Sequence, residues 1–204
     1  MNEQVSVITK RGMSTSMMVK IGVLAMLSYV LMQFELAIPI FPSFLKMDAS
    51  DLPALIGALS MGPLAGVFIE LVKNMLHGVI QSSTGGVGEV ANFAVGAALI
   101  LPLGFIYPRM KNAKGYIVGG VCGVALMAVL ACALNYYVLI PLFAALFAGG
   151  SVDTFVNIAQ SVNSRVVDFP SLIVFAIAPF NVLKGVIVIC LGYFLHKALA
   201  PVLY

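Results

Sequence analysis

One helical face in this sequence carries four side chains that could hold protons, ions or a polar ligand. They are spaced three and four residues apart, and they are Glu70, Lys73, Asn74 and His77. A carboxylate three residues from an ammonium predicts either an internal ion pair that holds helices together or part of a polar binding site. His77 is closest to the end of its apolar stretch, where we interpret it as an interfacial residue.

Two amides and a second lysine stand in other apolar stretches. Asn135 precedes two tyrosines, and Asn181 and Lys184 are three residues apart and therefore point the same way. Pro179 cannot donate a hydrogen bond to the carbonyl of Phe175, so this helix should contain a free acceptor. A lysine deep in an apolar helix requires a carboxylate from another helix or a polar ligand. We therefore predict that these groups share their space with a polar guest.

A third polar group surrounds a short loop between the first two apolar stretches. Its members are Glu35, Lys46, Asp48 and Asp51. Asp51 is interpreted as the N-cap of the helix that follows the loop, because a carboxylate there accepts from free backbone N–H groups.

Several kinds of chemistry are excluded or disfavoured by missing motifs. The sequence has no GxxxxGK[ST] loop for ATP and no HExxH zinc motif, and its three cysteines lack metal-ligand spacing. We therefore expect no enzyme activity, no metal and no cofactor. An intramembrane serine hydrolase that uses Ser60 and His77 is the one enzymatic alternative left open.

The amino-acid composition indicates the environment, water or lipid, that surrounds the fold holding these side chains. Of 204 residues, 61% are hydrophobic and only 9% are charged, whereas a soluble domain carries about 25% charged residues. The net charge of +3 is small and dispersed, which argues against nucleic acid as a partner. The composition predicts an all-α integral membrane protein in contact with lipid.

The apolar stretches predict a compact bundle of six transmembrane helices, since a span needs about 20 apolar residues. The whole chain, 1–204, is predicted to form one transmembrane domain after an N-terminal tail, 1–14. The predicted helices cover residues 15–36, 50–60, 63–80, 89–107, 115–147 and 169–199. Segments 37–49 and 149–168 are predicted to be loops.

Orientation follows from the positive residues, which concentrate in cytoplasmic loops. One side of the predicted bundle collects seven of them, namely Lys10, Arg11, Lys20, Arg109, Lys111, Lys114 and Lys197. The other side has Lys46 and Arg165. The sequence therefore predicts a multi-pass protein of the cell membrane with both termini in the cytoplasm.

Seven short motifs are distributed over nearly the whole chain, and they are FPSFLKMD at 41–48, SDLP at 50–53, GPLAG at 62–66, LVKN at 71–74, NF at 92–93, NYYVLIP at 135–141 and PFNVLKG at 179–185. Their order resembles the riboflavin-specific S component of the energy-coupling factor (ECF) vitamin transporters. The last two motifs, in this order, are the most specific.

The resemblance implies a subunit that captures riboflavin with high affinity outside the cell and delivers it inward. In that family the first outer loop closes over the ligand, which here means about residues 37–48. The implied binding residues are Asn135, Asn181, Lys184, Leu45, Asp48, Phe44 and Met47. Further lining of the pocket is expected from Lys73, Asn74, Glu70, Asn92 and Tyr136.

The family also implies partners that supply the energy this chain cannot supply. They are a transmembrane coupling protein and two ABC-type ATPase subunits. Such S components dock through small residues of the first helix in an Ala-x-x-x-Ala pattern. This sequence departs from that pattern, and Gly22 with Ala25 is the candidate contact face. An S component or carrier for a different vitamin or small solute stays open as an alternative function.

Overall fold

The computed structural model describes residues 14–82, 84–147 and 149–203. The predicted N-terminal tail, with Lys10 and Arg11, lies outside the described residues except for Ser14. Ser14 caps the first helix, because its hydroxyl oxygen accepts a hydrogen bond from the backbone N–H of Met17 at 3.2 Å.

The described residues are mostly helical. The described helices are α1 (Thr15–Met32), α2 (Asp51–Met61), α3 (Pro63–Ile80), α4 (Val87–Met110), α5 (Ala113–Leu134), α6 (Ile140–Phe147), α7 (Asp153–Gln160), α8 (Phe169–Leu172) and α9 (Ala178–Leu203). Two π-helical segments, Asn135–Leu139 and Ile173–Ile177, join α5 to α6 and α8 to α9. Two short strands, β1 (Leu36–Ala37) and β2 (Lys46–Met47), pair antiparallel.

Five of these stretches are long and apolar enough to cross a membrane, which confirms an all-α membrane protein. They are Thr15–Met32, Pro63–Ile80, Val87–Met110, Ala113–Phe147 and Phe169–Leu199. The second predicted span, α2, has only 11 residues, about 16 Å of helix. Its residues from Asp51 to Leu59 are all buried, because α1, α3, α4 and α9 surround it. A count of six spans therefore stays a prediction.

The two loops that join the spans contain more structure than the sequence predicts. The first helix ends at Met32 instead of residue 36, and Leu36 pairs with Met47 across the β-hairpin. The second loop contains α7, whose apolar face packs with Val156 and Ala159 against Leu172. Both segments are too short to show a clear helical or strand period.

Both π segments precede a proline by the same interval. Pro141 and Pro179 each follow the last π residue by two positions, and a proline removes one backbone donor from the helix. The Phe175 carbonyl, which the sequence predicts to be a free acceptor, receives a hydrogen bond from the side-chain amide of Asn163 at 3.1 Å. A residue of the second loop therefore fastens that loop to the second π segment.

Basic residues collect at one end of the bundle, which we call the basic end. Here α1 begins, α4 meets α5, and α9 finishes, and its described basic residues are Lys20, Arg109, Lys111, Lys114 and Lys197. Among the described residues, no Asp or Glu lies at this end. The opposite end has the two loops, and its acidic residues include Glu35, Asp48 and Glu89.

Helices α4 and α5 approach closely at a glycine, so a methyl group there should destabilise the protein. A Cβ atom on Gly123 would overlap the backbone carbonyl oxygen of Leu99. We expect Gly123→Ala to lower the free energy of unfolding by about 1–3 kcal/mol, the usual cost of overpacking. The measurement is unfolding of purified protein in mixed micelles.

The matched control is Gly22→Ala in α1, where a Cβ atom would meet no atom within 4 Å. This change should leave stability unaltered or raise it slightly, since alanine is the better helix former. Equal stability losses at the two glycines would contradict the close approach of α4 and α5.

Candidate functional site

A cavity of about 530 Å³ opens at the end opposite the basic end. It lies between the β-hairpin loop, the turn from α3 to α4, the first π segment and α9. One wall is polar and contains Asn135, Asn181, Lys184 and Asp48, and a second polar wall contains His77, Gln81, Thr84, Glu89 and Asn92. The apolar lining includes Phe44, Leu45, Met127, Phe143, Phe155 and Phe180. The volume and mixed lining are those of a small-molecule site.

The two predicted asparagines are held in the same manner. The Asn135 amide donates to the carbonyl of Ala131 at 2.8 Å, and the Asn181 amide donates to the carbonyl of Ile177 at 2.9 Å. Each bond uses one amide hydrogen and fixes the side chain against its own helix. Since an amide has two hydrogens and one carbonyl oxygen, each asparagine keeps one donor and one acceptor for the cavity.

Lys184 finds the carboxylates that its position requires. Its ammonium lies 3.0 Å from Asp48 Oδ2 and 3.3 Å from Asp51 Oδ2. Burial would raise the pKa of the Asp48 carboxyl, but the ammonium groups of Lys184 and Lys73, together with a hydrogen bond from Ser50, lower that pKa below its usual value of 3.8. The ion pair is therefore complete at neutral pH. It ties the loop to α9, and Lys184 does not need a ligand to balance its charge.

A buried ion cluster lies behind this wall. Lys73 contacts Asp51 Oδ1 at 2.8 Å, Glu70 Oε2 at 2.6 Å and the Ser50 hydroxyl at 3.0 Å. The side chains of Lys73, Asp51 and Glu70 are at most 1% exposed. Asn74 donates to the backbone carbonyl of Glu70 at 2.9 Å. Asp51 thus binds two lysines, and it joins this cluster to Lys184.

The structure therefore brings together part of the predicted pocket and places other members behind it. Lys73, Asn74 and Glu70 are in the buried cluster rather than on the described cavity wall, whereas Asn92 lines the cavity. Tyr136 lies outside the wall and stacks on Phe169 with 4.9 Å between ring centroids.

The loop over the cavity is fastened at several points. Phe44 and Leu45 line the cavity, while Met47 is in β2 beside it and not among the described lining residues. Phe41 meets Phe180 of α9 edge to face at 5.3 Å, and Phe44 meets Phe155 of α7 at 5.5 Å. With the Asp48–Lys184 pair, these contacts close the loop over the cavity.

Sequence reasoning missed the second polar wall except for Asn92. His77 Nδ1 lies 2.9 Å from Glu89 Oε1, and the Thr84 hydroxyl donates to Glu89 Oε2 at 2.7 Å. The sequence predicts His77 as an interfacial residue, or as part of the hydrolase alternative with Ser60, and does not single out Glu89. The available signal was the short SSTGGVG turn, 82–88, which must bring the end of α3 beside the start of α4.

The predicted docking face on α1 needs correction. Ala25 is completely buried and packs in the core with Ile21 and Leu55, whereas Gly22 is exposed. Three residues correspond to 300° around a helix, and this separation is enough to place the two on different sides of a boundary between core and surface. Gly22 alone can contribute to an outward small-residue surface.

Residues 14–82, 84–147 and 149–203 contain no group of three or more His, Cys, Asp or Glu side chains arranged to hold a metal ion.

Comparison with known proteins places this architecture among membrane transport subunits. The family model for the ECF transporter, substrate-specific component, matches residues 16–195. The riboflavin transporter FmnP of Bacillus subtilis (strain 168) is 35% identical over 178 residues, with coverage of 86% of this chain and 87% of that protein. The riboflavin transporter RibU of Staphylococcus aureus (strain TCH60) is 33% identical, with coverage of 90% and 89%.

A solved structure shares the fold. It is described as "Structure and mechanism of the S component of a bacterial ECF transporter", and it superposes with a TM-score of 0.72 at 29% identity. The alignment covers 92% of this chain and 97% of that chain.

Proposed function

We propose that this chain, which belongs to the substrate-specific components of the ECF transporters, is a riboflavin-binding subunit that holds the vitamin in the cavity beneath the β-hairpin loop. The observation that carries the proposal is the convergence of Asn135, Asn181 and Lys184 on one wall of that cavity. The similarity to riboflavin transporters selects the ligand from among those that such a wall could bind.

The chemistry of riboflavin matches the cavity in three respects. The pyrimidine end of its ring has carbonyl oxygens and an N–H, which suit the free donor and acceptor of each asparagine. The flat ring would lie against the apolar side chains of Phe44, Leu45 and Phe180. The ribityl chain has hydroxyl groups, which suit the second polar wall at His77 and Glu89.

The proposed topology has six spans, with the basic end and both termini in the cytoplasm. The segregation of basic residues supports this orientation, because positive residues are retained on the cytoplasmic side. The cavity would then open to the outside, where riboflavin is captured.

The proposed mechanism is capture and delivery without chemistry on the vitamin. Loop 37–48 would open by breaking the Asp48–Lys184 pair and the two aromatic contacts, and would close again over riboflavin. Delivery needs energy from partners, since the sequence has no ATP-binding loop. We assign this role to an ECF coupling protein and two ABC-type ATPases.

Removal of either asparagine side chain should weaken riboflavin binding. We expect Asn135→Ala and Asn181→Ala each to reduce affinity by about 1–3 kcal/mol, the range for a lost buried hydrogen bond. Quenching of riboflavin fluorescence during an equilibrium titration measures the effect.

The control is Lys111→Gln at the basic end, which should leave the affinity unchanged. Unchanged affinity in both asparagine variants would place the site elsewhere. Tight binding of thiamin or biotin, without any quenching of riboflavin fluorescence, would favour the alternative function, that of an S component for another vitamin.

A further inference from the structure

An apolar groove of about 800 Å³ runs between α5 and α9, away from the riboflavin cavity. It presents Ile117, Val121 and Ala125 from one helix and Val182, Val186 and Phe194 from the other. Two hydroxyl groups are among its described lining residues, those of Tyr116 and Tyr193, and the Tyr116 hydroxyl donates to the carbonyl of Ile189 at 2.8 Å. The groove therefore offers an occupant mainly apolar contact, and its other polar side-chain groups are the Tyr193 hydroxyl and the weakly polar Cys190 thiol.

The length of the groove corresponds to one membrane leaflet. Ala113 and Ala125 lie at its two ends on α5 and are twelve residues apart, which is roughly 18 Å of helix at a rise of 1.5 Å per residue. Half of a ~30 Å hydrocarbon core is about 15 Å. An acyl chain of one leaflet therefore fits the groove along its whole length.

Two lysines stand where the groove meets the basic end. Lys114 is one turn before Ile117 on the groove face of α5, and Lys197 is one turn after Tyr193 and Phe194 on the groove face of α9. Both lysines are exposed. No Asp or Glu of the described residues lies at this end to neutralise them. The mouth of the groove is thus positive and its interior apolar.

We propose that this groove binds one anionic phospholipid, with an acyl chain between α5 and α9 and the headgroup phosphate at Lys114 and Lys197. Apolar length and terminal positive charge together select this occupant, because anionic lipids are attracted by basic groups at the membrane surface. Such a lipid would occupy the cytoplasmic leaflet in the orientation proposed above. It would fill the space between the helix that carries Asn135 and the helix that carries Asn181 and Lys184.

Native mass spectrometry of the full chain with phosphatidylglycerol or phosphatidylcholine tests the proposal. We expect preferential retention of one phosphatidylglycerol per chain. Lys114→Gln and Lys197→Gln should each reduce that retention by roughly 5-fold, and the double variant by roughly 25-fold. Lys20→Gln is the matched control, because it removes the same charge at the same end from α1, and it should have little effect.

A second variant tests the groove itself. Ala125→Phe would fill the groove from an exposed position, and it should reduce retention of both lipids while Lys114 and Lys197 remain. Equal retention of the two lipids by the unaltered chain, or equal losses with Lys20→Gln and Lys114→Gln, would overturn the proposal. Inorganic phosphate that stabilises the protein as much as phosphatidylglycerol does would also overturn the proposal, since the groove would then contribute nothing to binding.

Discussion

Lys73→Met is expected to lower the free energy of unfolding by about 3–5 kcal/mol, the cost of removing one partner from a buried ion pair. The substitution leaves Asp51 and Glu70 without the ammonium that lies 2.8 Å and 2.6 Å from them. Neither carboxylate can reach solvent, since their side chains are at most 1% exposed. Unfolding in mixed micelles measures the loss.

Two further variants show whether the cost comes from uncompensated charge. Lys73→Met with Glu70→Gln should recover part of the stability, because Glu70 loses the only ammonium that it contacts, whereas Asp51 keeps Lys184 at 3.3 Å. Lys20→Met, at an exposed position of α1, should change stability little. A small loss for Lys73→Met, no greater than for Lys20→Met, would show that the cluster does not form as described.

Lys184→Met should weaken riboflavin binding by roughly 10- to 150-fold, which corresponds to about 1.5–3 kcal/mol for a hydrogen bond to a charged group. The lysine both faces the cavity and holds Asp48 of the loop at 3.0 Å. The substitution therefore removes a polar group from the wall and releases one fastening of the loop. Equilibrium titration with riboflavin measures the change.

A double-mutant cycle with Asp48→Asn separates these two effects. If loop attachment is the main contribution, the single substitutions should cause similar losses and the double variant should lose little more. The account predicts this non-additive result. Fully additive losses would mean that Lys184 and Asp48 act on riboflavin independently, and would contradict the role of their pair in closing the loop.

Much of this architecture could be predicted because apolar length and charge bias operate over long stretches. The start of α3 at Pro63 and its end at Ile80 match the prediction, since a Gly-Pro pair and a polar turn bound that stretch. The convergence of Asn135 with Asn181 and Lys184 was expected because each interrupts an apolar helix, where a polar group is costly without partners.

The remaining features depend on contacts between residues far apart in the sequence. Asp48 and Lys184 are separated by 136 positions, and no local pattern pairs them, so the lysine's need for a carboxylate was predictable but its partner was not. The β-hairpin and α7 are short segments whose conformations depend on packing over the cavity. The burial of Ala25 depends on which side of α1 meets α2 and α3. The residues around an apolar helix in lipid differ too little in polarity for the sequence to show which side is buried.

The absorption spectrum of the protein, purified from cells grown with riboflavin, tests the central claim most directly. The account predicts a yellow protein with flavin absorption bands, about one flavin per chain, and loss of this colour in the Asn135→Ala/Asn181→Ala double variant. A folded, colourless protein that also fails to quench the fluorescence of added riboflavin would contradict the claim.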